Sequence, residues 1–116
     1  AEKSASGSAG DRLEAEVANL VGDDLQGFNK KIGPNGSTGE IDVETDKYLI
    51  EVTIEKSGKK SQIEKLLNNS GMNPEKKKVI LYAPNYKDTP KKAIEKLGVQ
   101  VVKSPEELKN VLDKVK

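Results

Sequence analysis

The 116-residue chain contains no cysteine, no histidine and no tryptophan, and only one phenylalanine and three tyrosines. Without cysteine it can form no disulfide, no zinc finger and no thiol nucleophile. Without histidine it cannot build a Ser-His-Asp triad, a histidine acid and base pair for RNA cleavage, or a histidine-rich zinc site. Any catalysis therefore falls to carboxylates, lysines, hydroxyls and a hard metal ion. Long apolar runs are also missing. No stretch approaches the roughly 20 apolar residues of a membrane span, and the first ten residues lack the apolar centre of a signal peptide. The scarcity of aromatics leaves the core to Val, Ile and Leu, and leaves no stacking platform for single-stranded nucleic acid.

What is present fits one domain with a modest single core. The opening AEKSASGSAG is rich in Ala, Ser and Gly, so residues 1–10 read as a linker to something upstream and residues 11–116 as the domain. The net charge of +1 hides an asymmetry. Residues 1–50 carry ten acidic and five basic side chains, a net of −5, and residues 51–116 carry nine acidic and fifteen basic, a net of +6. An acidic half beside a basic half suits a metal site next to a polyanion-binding surface, although charges that merely solvate a surface give the same numbers.

Apolar spacing predicts a helix over DRLEAEVANLVG, residues 11–22, with Asp11 as N-cap and Gly22 as C-cap. The Gly- and Pro-rich run from Phe28 to Gly39 predicts a loop, with at most a short strand around Ile32. GEIDVET and KYLIEVTIE then alternate as half-buried strands, with Ile41 and Val43 on one face of the first and Asp46-Lys47 as the turn between the two. KKSQIEKLLNN predicts a second helix, and KKVILYAP, residues 77–84, a buried central strand. TPKKAIEKLG predicts a third helix capped by Thr89. VQVVK predicts another strand, and SPEELKNVLDKVK a last helix with Ser104 as N-cap and Glu107 three residues on. The expected fold is α/β, of mixed α+β character: a central mixed β-sheet flanked by helices.

Asp42 and Glu51 lie symmetrically about the Asp46-Lys47 turn and so face each other in a tight hairpin. Opposed carboxylates repel unless a cation sits between them, and two carboxylates a few ångströms apart are a common way to hold Mg²⁺ or Mn²⁺ beside a phosphate. The alternative is the solvent face of an edge hairpin, where acidic residues discourage aggregation.

A wider pattern favours the first reading. Glu14 on the first helix, GEID at 39–42, IEVT at 50–53 and Gln62 opening the second helix together resemble the PD-(D/E)XK nuclease superfamily, over about residues 10–82. The resemblance implies a restriction-endonuclease-like core. More narrowly, GEIDVETDKYLIEVT followed by SQIEKLLNN and VILYAPNY resembles the C-terminal toxin domains of contact-dependent growth inhibition and related polymorphic toxin systems.

The resemblance implies roles. Asp42 and Glu51 bind a divalent metal, Mg²⁺ or Mn²⁺ with Zn²⁺ as an option, and the carbonyl of Val52 can add a ligand. Glu14 completes the metal shell. Glu16 competes with it, and the spacing from Gly10 to Glu14 favours Glu14. Thr53 stands where the family keeps a lysine, so its hydroxyl could serve the water or a phosphate oxygen while Lys59 or Lys60, the latter preferred, supplies the charge. Gln62 hydrogen-bonds near the phosphate, as the corresponding glutamine does in several members. Lys76, Lys77 and Lys78, with Lys91, Lys92 and Lys96, form a phosphate-contacting surface or simply a solvated one.

The expected function is then a metal-dependent endonuclease toxin cutting tRNA, with DNA as the alternative substrate and a catalytically inactive binding module as the alternative class. A cognate immunity protein is the implied partner. The implied setting is the end of a large secreted cell-surface effector, delivered into the cytoplasm of a target cell.

Overall fold

A computed structural model describes residues 9–113. Five strands, β1 (Leu25–Ile32), β2 (Gly39–Thr45), β3 (Tyr48–Val52), β4 (Lys78–Tyr82) and β5 (Gln100–Val102), form one sheet in the order of the chain. The first three run antiparallel, as short connections require, and β3, β4 and β5 run parallel, as strands joined through helices must. Four α-helices flank the sheet: α1 (Ala9–Val21), α2 (Lys60–Asn68), α3 (Asp88–Glu95) and α4 (Pro105–Asp113). The fold is thus mixed α/β, in agreement with the sequence pattern.

The helices divide between the two faces. Ile63 and Leu66 of α2 and Ile94 of α3 pack on Leu49, Val79, Leu81 and Val101. Val17 and Val21 of α1 and Leu108 and Val111 of α4 pack on Val43, Ile50, Val52, Ile80 and Val102. Because β3 and β4 are covered on both sides, every residue from Tyr48 to Val52 is buried and KVILY reads as a continuous apolar run. The hairpin carrying Asp42 and Glu51 is therefore no solvent-facing edge: β2 and β3 are both interior strands.

Several local signals hold. Asp46 and Lys47 form the turn, closed by Thr45 Oγ1, which accepts the N–H groups of Lys47 at 3.2 Å and Tyr48 at 2.9 Å. Ser104 Oγ accepts the N–H of Glu107 at 3.2 Å while Glu107 Oε1 accepts that of Lys103 at 2.8 Å, so the start of α4 is capped from both sides. Gly22 adopts φ 63°, the left-handed conformation that ends α1.

Others need correction. The chain described as a linker through residue 10 already contributes Ala9 and Gly10 to α1; residues 1–8 of that linker lie outside the described residues. α3 begins at Asp88 after Lys87, an N-cap whose side chain makes no capping hydrogen bond, so Thr89 lies inside the first turn. The largest departure is β1, which occupies much of the stretch expected to be a loop. Its sequence LQGFNKKI has few β-branched residues, a glycine, and Asn29 at φ 52°, and its register against β2 shifts between Leu25 and Gly27. Such an irregular, half-buried edge strand forms because β2 offers it a ladder, a tertiary cause that local propensity does not report.

Candidate active site

The β2–β3 register pairs Val43 with Ile50 and Glu44 with Leu49; carried one residue further it sets Asp42 opposite Glu51. At Asp42 the side chain takes over from the backbone ladder, for its Oδ2 accepts the N–H of Val52 at 2.9 Å. The strand also leaves its simple pleat here. Ile41 and Val43, which strict alternation puts on one face, pack into opposite core layers. The local irregularity turns Asp42 into a pocket of charge rather than into either hydrophobic layer.

Asp42 and Glu51 are both buried, at 8% and 7% exposure, and their carboxyls lie within hydrogen-bonding reach of each other. Oxygen atoms of Glu14 from α1, Glu40 from β2 and Asp42 all lie within 4.8 Å of one another. Helix α1 delivers Glu14 because Val17 and Val21, three and seven residues on, anchor that side of the helix to the sheet. Glu16 points elsewhere: it is exposed, and its charge acts on Tyr82.

The charge state of the cluster follows from its burial. Desolvation raises the pKa of Asp42, aided by Glu40, against the lowering effect of the Val52 N–H. Glu51 is pushed up to about 8, first by burial and then by the charge of Asp42, with Glu14 adding to it. One positive group opposes this: Lys59 Nζ lies 3.9 Å from Glu51 Oε2, with its side chain 25% exposed. Asp42 and Glu51 keep raised pKa values in the presence of that ammonium, so the metal-free pair favours holding a proton. The all-oxygen donor set of Glu14, Glu40, Asp42 and Glu51 suits a hard divalent ion.

Not every expected residue joins this cluster. Lys60 is exposed on the first turn of α2, and Lys59 is the lysine that meets Glu51. Gln62 is exposed and accepts a hydrogen bond from Ser61 Oγ at 3.3 Å. Both line, with Lys59, a shallow groove of about 680 Å³ beside the start of α2, so Lys59 connects groove and carboxylates. Thr53 is buried and its hydroxyl accepts the N–H of Glu55 at 3.0 Å, while its own N–H donates to Tyr82 O at 3.0 Å. Its side chain serves the turn that ends β3. Glu40 is the residue the sequence reading passed over; its position two before Asp42 on the same strand was the available signal.

The expected lysine surface is also divided. Lys77 is not on it: its Nζ is buried, 2.7 Å from Glu44 Oε2, 2.7 Å from the carbonyl of Thr45 and 3.1 Å from Gln26 Oε1. It ties β1, β2 and the segment before β4 together. Among the described residues no helix is long and apolar enough to cross a membrane. Comparison of the chain with protein families, with characterised proteins and with solved structures finds no match to any of them.

Proposed function

We propose that the protein is a metal-dependent nuclease that hydrolyses phosphodiester bonds, with tRNA as the favoured substrate and DNA as the alternative. The observation that carries this reading is the buried pair Asp42 and Glu51, whose pKa values stay raised beside Lys59, with oxygens of Glu14 and Glu40 close to Asp42. Asp42, Glu51 and Glu14 would hold Mg²⁺ or Mn²⁺, with Glu40 as a further oxygen donor; Zn²⁺ ranks behind them where neither histidine nor cysteine is available. Such an ion supplies Lewis-acid stabilisation of a phosphoryl oxygen and an acidified water.

The chain's own residues supply the rest. The Val52 N–H fixes the orientation of the Asp42 carboxylate. Glu51, facing Asp42 across the hairpin, would hold the attacking water in position beside the ion. The Lys59 ammonium takes the part that a lysine at position 53 plays in the PD-(D/E)XK pattern, balancing charge on the phosphate in flight. The groove lined by Lys59, Lys60, Ser61 and Gln62, and also by Glu55 and Glu64, offers the phosphodiester backbone an approach to these groups on its lysine side.

A toxin role, with an immunity protein as inhibitor and delivery into a target cell, rests on the resemblance of GEIDVETDKYLIEVT and the segments after it to polymorphic toxin domains. The test is incubation of the purified protein with total tRNA and, separately, with plasmid DNA in Mg²⁺ or Mn²⁺. Cleavage of one substrate, abolished by EDTA and by Asp42→Asn, is the expected result. Binding without cleavage identifies an inactive binding module instead, and cleavage that persists in EDTA removes the metal from the account.

A further inference from the structure

A large cavity lies away from the carboxylates, at the opposite end of the parallel strands. It has a volume of about 820 Å³ and is bounded by the beginnings of β3, β4 and β5, the end of α2 and the segment after it. Tyr48 at this end and Glu51 at the other are three residues apart on β3, about 10 Å at a strand's rise per residue. The cavity is within the size range of small-molecule sites.

Its lining combines three kinds of group. Leu67 gives an apolar surface, unusual in being 36% exposed. Asn68, Asn69 and Gln100 give amides, and Lys76 and Lys78 give ammonium groups. Among the described residues, the side chains of Asn68, Gln100, Lys76 and Lys78 make no hydrogen bond or ion pair. This contrasts with Lys77 between the last two, which is fully committed to Glu44, Thr45 and Gln26. Alternate lysines in one short run are thus divided: one locks the framework, and two stand exposed at the cavity.

The rim that carries them is rigid. Asn73 Nδ2 donates to the carbonyls of Leu66 at 3.1 Å and Lys77 at 2.8 Å, and its Oδ1 accepts the Lys77 N–H at 2.7 Å. Asn69 Oδ1 accepts the N–H groups of Gly71 at 2.8 Å and Met72 at 3.2 Å. Lys76 is held at φ 54°, a conformation that a residue with a Cβ adopts only at a cost of about 1 kcal/mol. The surrounding hydrogen bonds impose it and fix the origin of the Lys76 side chain.

An apolar wall, unpaired amides able to pair with base edges, and ammonium groups for a phosphate are together the complement of a nucleotide. We propose that this cavity is a nucleotide-binding groove, separate from the carboxylate cluster, that takes one nucleotide unit, base against Leu67 and the amides, phosphate at Lys76 and Lys78. It extends the nuclease reading by adding a recognition site for the strand, and it needs no metal.

The test is a titration of ¹⁵N-labelled protein in EDTA with AMP, with UMP, with inorganic phosphate and with a short single-stranded RNA. Saturable amide shifts from either nucleotide, confined to residues 67–70, 76–79 and 98–100, are expected, with phosphate alone binding more weakly. Lys76→Glu/Lys78→Glu, both exposed positions, should keep the wild-type melting temperature, weaken RNA binding at least about tenfold, and lower the salt slope by roughly one unit per lysine. Asn68→Leu should weaken the nucleotides and not phosphate. Shifts centred elsewhere, no saturable shift, or wild-type RNA binding by the double lysine variant overturns the proposal; equal binding of phosphate and nucleotides overturns its base-recognition part.

The two readings fail separately. Asp42→Asn removes cleavage and should leave the groove titration unchanged. Cleavage by the wild type together with a silent groove removes this proposal alone, and a responsive groove on a protein that cleaves nothing removes the nuclease alone.

Discussion

Two residues apart on β2, Asp42 and Glu44 are both buried carboxylates, and they sit in opposite electrostatic circumstances. Burial pushes Glu44 up, but hydrogen bonds from Lys77 and Lys30 outweigh it and hold its carboxyl below the ordinary value. Lys77 gains in the same way from Glu44 and Glu75 against its own burial. Asp42 meets Glu51, Glu14 and Glu40, and the Val52 N–H and Lys59 do not bring its pKa or that of Glu51 back to the ordinary value. One pair balances its charge within the chain, and the Asp42 and Glu51 pair keeps a raised affinity for protons. A buried ion pair is a framework device when complete; a buried excess of one sign is tolerated only where a ligand or protons make up the difference.

The largest expected effect comes from breaking the balanced site. Lys77→Ala leaves Glu44 with only the half-exposed Lys30 at 3.2 Å, and removal of the buried partner of such a pair costs up to about 3–5 kcal/mol. Denaturant melts should show that loss as a lowered midpoint. The paired replacement Lys77→Met with Glu44→Leu should recover most of it, because the desolvation cost disappears with both charges. An unchanged midpoint for Lys77→Ala would mean that the Glu44 to Lys77 contact is not the tie between β1, β2 and β4 described above.

The same operation at the unbalanced site should have the opposite sign. Asp42→Asn keeps an oxygen to accept the Val52 N–H but removes one of the mutually repelling charges. Metal-free stability at pH 8 is expected to rise or hold, while cleavage falls at least about a hundredfold, or about 2.7 kcal/mol of transition-state stabilisation. Glu14→Gln should behave similarly and Glu16→Gln should match the wild type. A drop in stability for Asp42→Asn, with activity retained, would reverse the assignment.

Acid and base should separate the two sites further. Glu51 has its pKa raised from an ordinary 4.5 to about 8, so folding binds a proton that the unfolded chain gives up at neutral pH. Its contribution is complete below pH 4.5 and is lost as pH rises through 8, on the order of 5 kcal/mol over the full shift for the metal-free protein. Glu44, with its pKa lowered, contributes above pH 4.5 and loses that as pH falls through its folded value. Melting temperatures in EDTA from pH 5 to 8 should fall for the wild type and flatten for Glu51→Gln. Mn²⁺ should raise the melting temperature more at pH 8 than at pH 5, because it displaces the proton.

These sites differ also in how far the sequence discloses them. The Asp46-Lys47 turn, with alternating strands on either side, was enough to bring Asp42 and Glu51 together, since a two-residue hairpin has one natural register. The helical spacing of Val17 and Val21 with Glu14 was likewise visible. What stayed hidden depends on the sheet as a whole. The loss of simple alternation between Ile41 and Val43, the strand made from LQGFNKKI, and the burial of Lys77 all arise from partners distant in sequence. Lysine runs show their composition, not which member turns inward, and a glutamate such as Glu40 at a strand entrance looks like any solvated residue until α1 brings Glu14 against it.

The choice between Lys59 and Lys60 is the finest of these distinctions and has the smallest expected effect. Adjacent residues at the start of a helix point about 100° apart, so at most one of them can face the carboxylates. Lys59 does, at 3.9 Å from Glu51, but with a quarter of its side chain in water its charge is partly screened. Lys59→Ala should therefore lower cleavage by about tenfold, near 1.4 kcal/mol, less than loss of a carboxylate. It should also raise the pKa of Glu51 further, so that the metal-free loss of stability continues to higher pH than in the wild type, while Lys60→Ala leaves the pH profile unmoved. Arginine at 59 should restore both the rate and the profile in part, since charge at that point is what the cluster lacks; rescue by glutamine instead would show that Lys59 acts through packing and not through charge.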